Sequence, residues 1–359
     1  MSATTGGPAA GVSKAGAYTV TRGHAGTEPV VTVSAPDDAT RVTVALRGAT
    51  LLSWQVDRLG TPFDLTDGYR DEAELRAQDG VRNGVLAPFP NRVADGRYAF
   101  AGARHDLLPG RSAPRLVYHG FARELPFALA EAVVQADTAR LVLTSRIDPD
   151  RHPGYPFALD LDVTYQVTER AVEIEIGVTN TGRLPAPYAA GWHSYFRLPG
   201  VVDDWTLQIP AGTLVRTDDD LIPLDGADAY APLDGLPAQD FRHPRDLAGR
   251  VIDACFTTLR AGTEQRAETI LRHRRADDEL RVWQHSGSLH VFTGDTLARD
   301  RRRSIALEPV ETVTNAFNRA DSALAITLDP GARRTFRFGA AYRPPRAQRS
   351  AGAQTRDRD

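Results

Sequence analysis

The feature that most limits what this chain can fold into is the rhythm of its apolar residues. Short β-type runs, each closed by turn residues, recur from about residue 30 to about residue 340. Residues 30–33, 41–46 and 51–56 come first, followed by 141–144, 158–167 and 171–179, where apolar and polar residues alternate as they do in half-exposed strands. Residues 205–209, 279–284, 289–293, 304–307, 323–328 and 334–338 continue the pattern. Asp95-Gly96, between residues 92–94 and 97–100, is the commonest two-residue hairpin signature. Helix-period segments are scarce; residues 71–76 and the stretch after Leu233 are short candidates. Many short strands with so little helix predict an all-β fold, a large antiparallel β-sandwich, and argue against an alternating βαβ chain. Neither an internal repeat nor a Pro- or Gly/Ser-rich linker divides the core, so residues 28–343 are expected to form a single domain. The flanks, 1–27 and 344–359, are small, polar or charged without periodicity and are predicted to be disordered tails.

Composition narrows the function classes. A net charge of −3 over 359 residues offers no basic field for nucleic acid or an anionic membrane. Lys14 is the only lysine, so the remaining positive charge is arginine. Cys255 is the sole cysteine, which excludes an intrachain disulfide and a thiolate metal cage. The N-terminal stretch has no apolar core of a signal peptide and no later segment is apolar enough to span a bilayer, so a cytoplasmic protein without membrane partners is expected. The histidines lack metal-ligand spacing, so no metal is expected, and no glycine-rich phosphate loop follows a strand.

Five places carry residues with chemical potential. In Gly191-Trp192-His193-Ser194-Tyr195-Phe196, strand alternation puts His193 and Tyr195 on one face and Trp192 and Phe196 on the other. Alone, that is an ordinary half-buried strand. In Pro88-Phe89-Pro90-Asn91-Arg92, the prolines fix a turn that hands Asn91 and Arg92 to the chain beyond, and an arginine so held can grip hydroxyls. His119-Gly120-Phe121-Ala122-Arg123 reads as a loop. Asp253 lies in an apolar run and, partly buried, must find hydrogen-bond donors; Cys255 beside it reads as a small buried residue rather than a nucleophile. In Ser304-Ile305-Ala306-Leu307-Glu308-Pro309, the proline is expected to stop strand pairing and leave Glu308 at a strand end. The run 299–303 reads as a solvated hairpin loop, and 152–156 as a turn from which Tyr155 can reach a ligand.

Taken in order, Asn91-Arg92 ahead of Asp95-Gly96-Arg97-Tyr98, His119-Gly120-Phe121-Ala122-Arg123, Gly154-Tyr155-Pro156, His193-Ser194-Tyr195-Phe196, Asp253 before Phe256, Thr293-Gly294 and Leu307-Glu308-Pro309 resemble the aldose 1-epimerase (galactose mutarotase) family, in its broader bacterial branch. Each motif is modest; the ordered set spans residues 28–343. The resemblance implies a mutarotase-like supersandwich with an open sugar cleft and no cofactor. It implies that Glu308 is the general base and His193 the general acid, while Asn91, Arg92, His119, Tyr195 and Asp253 hold the sugar. His290 stands where well-known members carry a sugar-contacting glutamine, and Ala254 where a histidine is frequent. The implied activity is interconversion of the α and β anomers of a free aldose such as glucose or galactose, by a monomer or homodimer whose partner is a small sugar. On this chemistry Glu308 is ionised and His193 protonated at rest. A hexose 6-phosphate epimerase of the same fold needs arginines in the cleft, with Arg97, Arg123 and Arg197 as candidates; a sugar-binding protein without turnover is the reading from another class.

Overall fold

The computed structural model describes residues 17–112 and 116–345, and every ladder between its strands is antiparallel. The alternation read from the sequence builds two large sheets. One has nine strands, with Glu279–Gln284, Arg333–Arg343, Ala171–Asn180 and Leu159–Val167 adjacent near its middle. The other has eight, in which Asp253–Leu259, Ser288–Phe292, Ile305–Val310 and Gly191–Trp192 lie side by side, with Tyr195–Phe196 also paired to Ile305–Val310. Leu159, Leu161, Val163, Tyr165 and Val167 are all buried while the residues between them are not, so that strand keeps one wet face. Their core partners include Ile174, Ile176, Phe336 and Phe338 from the same sheet and Leu289, Val291, Ile305 and Leu307 from the other, in one continuous apolar cluster. This is the β-sandwich that the strand rhythm predicts. A third sheet of five strands runs through residues 19–64.

Trp192 ties the two large sheets together. Its ring stacks on Phe338 of the nine-stranded sheet at 5.5 Å and meets Phe196 edge-on at 5.7 Å. The apolar anchor expected behind His193 is therefore present.

Several expectations need correction. The segment Thr19–Ala25 falls within the predicted N-terminal tail, yet it pairs along its whole length with Glu28–Ser34 through a turn at Gly26. Its sequence gave little warning because it buries little; most of its residues are half-covered or exposed. The rest of the predicted tails, residues 1–16 and 346–359, lies outside the described residues. Asp95 and Gly96 do form a turn, both at positive φ, but not a hairpin. Residues 92–93 bridge instead to Tyr118 and Val117, and Arg97–Phe100 pairs forward with Ala103–Asp106 through Ala101-Gly102. Residues 323–328 are a short helix, Ala323–Ile326, followed by the two-residue strand Thr327–Leu328. The helix candidate at 71–76 is found as Glu72–Ala77, where the Asp71 carboxylate caps the Glu74 N–H.

Pro309 does not end its strand. Ile305–Val310 pairs on through Pro309 and Val310 with Leu289 and Ser288. The N–H groups of Leu307 and Glu311 point the other way, to the carbonyls of Ser194 and Ala190. Proline therefore removes a donor only on the side of residues 190–196, where the strand breaks into Gly191–Trp192 and Tyr195–Phe196 with His193 and Ser194 between them. The interruption falls on the neighbour, and Glu308 sits inside a paired strand.

Candidate active site

The face of the eight-stranded sheet turned away from the core carries two rows of side chains. Tyr195, Ala306, Phe292 and Asp253 are successive cross-strand partners in one row. In the other, Glu308 is the partner of His290, and His290 of Cys255. On the opposite flank, the pairs Gly191–Val310 and Tyr195–Ala306 bracket His193 and set it across from Glu308. Residues scattered between positions 193 and 308 thus meet because antiparallel neighbours present equivalent positions on one face.

The interrupted segment is held from behind by Asn83. Asn83 N–H donates to the His193 carbonyl at 2.9 Å, its Oδ1 accepts from Tyr195 N–H at 2.8 Å, and its carbonyl accepts from the Trp192 indole at 3.0 Å. The His193 N–H donates to Gly84 at 3.0 Å. Beneath Tyr195 lies Arg82, its guanidinium 5.3 Å from the ring centre and paired with Asp67. Asp67 also accepts from Ser304 Oγ at 2.8 Å and from Arg299 at 3.0 Å.

A second wall comes from the loops at Asn91 and His119, both at positive φ. The two residues clasp each other: His119 N–H donates to the Asn91 carbonyl at 2.8 Å, and Asn91 N–H donates to His119 Nδ1 at 3.2 Å. An accepting Nδ1 assigns the ring proton to Nε2. Asn91 Oδ1 in turn accepts from the Arg92 backbone at 2.9 Å and guanidinium at 3.0 Å.

All eight residues singled out in the sequence, Asn91, Arg92, His119, His193, Tyr195, Asp253, His290 and Glu308, line one cleft of about 220 Å³. That lies below the ~300–1,000 Å³ typical of pockets for drug-sized ligands, so the cleft suits a small molecule. Asp79, Gly80, Val81, Tyr118, Phe292 and the segment 296–298 complete the lining and were not foreseen. A usable signal for the last of these was the arginine run at 299–303. It is not a solvated loop: Arg299 binds Asp67, Glu74 and the Gly68 carbonyl, and Arg302 binds Asp203 and Asp295, pinning the segment against the cleft. Tyr155 is fully buried with its hydroxyl on the Pro187 carbonyl and does not line the cleft. Among the described residues, no three His, Cys, Asp or Glu side chains are grouped to hold a metal ion, and no helix is long and apolar enough to cross a membrane.

At the centre, His193 Nε2 lies 3.4 Å from Glu308 Oε1, with residue exposures of 7% and 2%. The His193 ring stacks on Tyr195 at 5.0 Å and meets His119 edge-on at 5.0 Å. Glu308 Oε2 and His193 Nδ1 are buried with no protein partner, an arrangement that folding alone does not favour. Burial pushes Glu308 up to about 8, against the pull of His290 and Arg92. Burial pushes His193 down to about 3, and the charge on His290 adds to the shift. His119 is likewise driven well below the usual range by burial, with His193 adding to it. Burial opposes charge on Asp253 and on His290, but their hydrogen bond at 2.8 Å together with the surrounding charges outweighs it, lowering the carboxyl and raising the imidazole to about 10. The resting site therefore differs from the ionised Glu308 and protonated His193 expected from the sequence. Burial favours both side chains in their neutral forms, with the shared proton on the carboxyl, next to a charged His290–Asp253 pair. Such a couple contains one acid and one base at proton-transfer distance from a small ligand.

The sequence model for aldose 1-epimerase matches residues 29–340, and the chain belongs to that family. It is 27% identical over 236 residues to the uncharacterized protein YihR of Escherichia coli K12, covering 65% of this chain and 71% of that protein. It is 26% identical over 271 residues to human galactose mutarotase, covering 72% and 76% of the two chains. Among solved structures, the galactose 1-epimerase of Lactobacillus acidophilus superposes with a TM-score of 0.74 at 17% identity, covering 92% of this chain and 99% of that one. The GalM/aldose epimerase homologue of C. elegans does so with a TM-score of 0.74 at 18% identity, covering 87% and 98%. These superpositions establish the fold as that of the galactose mutarotases.

Proposed function

We propose that this protein is an aldose 1-epimerase that interconverts the α and β anomers of a free aldose such as glucose or galactose, with Glu308 as base and His193 as acid. The observation that carries this reading is the His193–Glu308 pair, 3.4 Å apart on the cleft floor with a buried, unpartnered atom on each side chain. The base takes the proton of the C1 hydroxyl, the C1–O1 bond becomes a carbonyl, the C1–O5 bond breaks, and the acid protonates O5. Rotation about C1–C2 and reversal of these steps give the other anomer. One proton between the pair is sufficient throughout.

A sugar hydroxyl donating to Glu308 favours its carboxylate, and a ring oxygen accepting from His193 favours its imidazolium. Substrate binding thus moves the resting proton from carboxyl to imidazole across the existing contact. Arg92, the Nε2–H of His119, Asn91, Tyr195 and Asp253 supply polar groups around the cleft to orient hydroxyls. The single cysteine, free and buried, suits a reducing compartment, and we place the activity in the cytoplasm. A phosphorylated substrate has less support. Among the described residues Arg92 is the arginine lining the cleft, while Arg97 pairs with Asp95, Arg123 lies over Tyr118, and Arg197 binds the Asp64 carbonyl.

Optical rotation of fresh α-glucose, α-galactose and α-glucose 6-phosphate tests the reading. The wild type is expected to speed relaxation of a free aldose, with Glu308→Gln and His193→Asn slower by roughly 10²–10⁴-fold. No acceleration of any sugar by a protein that still binds it would replace this reading with that of a sugar-binding protein.

A further inference from the structure

Glu308 has a neighbour that the acid–base step does not use. His290 is its cross-strand partner, on the side away from His193. His290 Nε2 meets Asp253 Oδ1 at 2.8 Å, and Cys255 is its cross-strand partner on the next strand. The imidazole lines the cleft with its Nε2 already engaged by Asp253. Asp253 lines the cleft beside it, its side chain 36% exposed.

We propose that His290 is a positioning residue, an imidazolium locked by Asp253, whose charge beside Glu308 makes it easier for the buried carboxyl to give up its proton. The proposal rests on the acid–base reading of the site given above. Glu308 is faced by His193 and Tyr195 from the interrupted strand, His290 from one adjoining strand, Asp253 and Cys255 from the strand beyond, and Arg92 and His119 from the loops. Burial keeps His193, His119 and Tyr195 neutral. The remaining charges are Asp253, which opposes ionisation of Glu308, and His290 and Arg92, which favour it. Of the two cations, His290 holds the adjacent position in the sheet, and its bond to Asp253 keeps it charged to about 10. Without it, burial and the charge on Asp253 hold the proton on the carboxyl to a higher pH still.

Two titrations of the sugar-free protein and one rate profile test this. In the wild type, ¹⁵N shifts of the His290 ring should show both nitrogens protonated up to pH 8. The ¹³C titration of the Glu308 carboxyl should move up by about one pH unit or more in His290→Gln and return toward wild type in His290→Lys. The acid limb of kcat/KM should shift by the same amount, so that His290→Gln loses roughly tenfold on that limb while recovering at higher pH. A neutral His290 ring at pH 7 overturns the proposal, and that measurement needs no variant to fold. A Glu308 titration unmoved in His290→Gln, with KM raised at every pH, also overturns it and makes His290 a sugar ligand. If Glu308 shifts as expected but no sugar is anomerised, the electrostatic role stands and the proposed activity falls.

Discussion

Glu308 and His193 are buried side by side, and each is held away from its charged form. The consequence reaches beyond catalysis. Folded, Glu308 keeps its proton up to about 8, whereas the unfolded chain releases it near 4.5. Between those values the native state binds more protons, so stability falls as pH rises through the window. Glu308→Gln removes that fall, and its melting temperature relative to wild type should climb between pH 5 and pH 8; a constant difference would contradict the burial account. His193 works at the other end: folded it stays neutral down to about 3, while the unfolded ring takes a proton near 6.5. Stability contributed there is present above 6.5 and is lost as pH falls, a loss that His193→Asn should lack in the same melts. Residue types at this site were legible from the sequence, and all eight candidates reached one cleft. Their charge states were not, because burial and the 2.8 Å contact between His290 and Asp253 depend on strand register.

At the scale of elements, the alternating strands declared themselves because half of each faces an apolar core. Thr19–Ala25 escaped because it buries too little to show that pattern. Turn chemistry was read correctly at Asp95-Gly96 and its partner wrongly: a local turn does not say that its two flanks pair with each other. Pro309 was expected to end its own strand and instead coincides with a break in the adjacent one, since its missing donor faces residues 190–196. The arginine run was misread because charge density cannot distinguish a solvated loop from one tied down by distant carboxylates. Arg299 reaches Asp67 and Glu74, more than two hundred positions earlier in the chain. Arg299→Ala should cost roughly 1–3 kcal/mol in denaturant unfolding. It should also speed amide exchange in residues 294–303; unchanged exchange would mean the loop is held by other contacts.

Across the whole molecule, one apolar cluster joins the sheets, and the site is built on its outer surface. The segment 191–196 serves both: Trp192 and Phe196 enter the core, His193 and Tyr195 face the cleft. Trp192→Ala should therefore lower stability by about 3–5 kcal/mol in denaturant melts and slow turnover at temperatures where the variant is still folded. Stability loss without any catalytic loss would separate the anchor from the site. The central claim, that Glu308 and His193 open and close a sugar ring, is tested most directly by polarimetry at neutral pH. Initial mutarotation rates of α-galactose and α-glucose should be compared for wild type, Glu308→Gln and His193→Asn, each shown by circular dichroism to be folded. The account predicts acceleration by the wild type and a loss of roughly 10²–10⁴-fold in both variants. Full activity in either folded variant would contradict it.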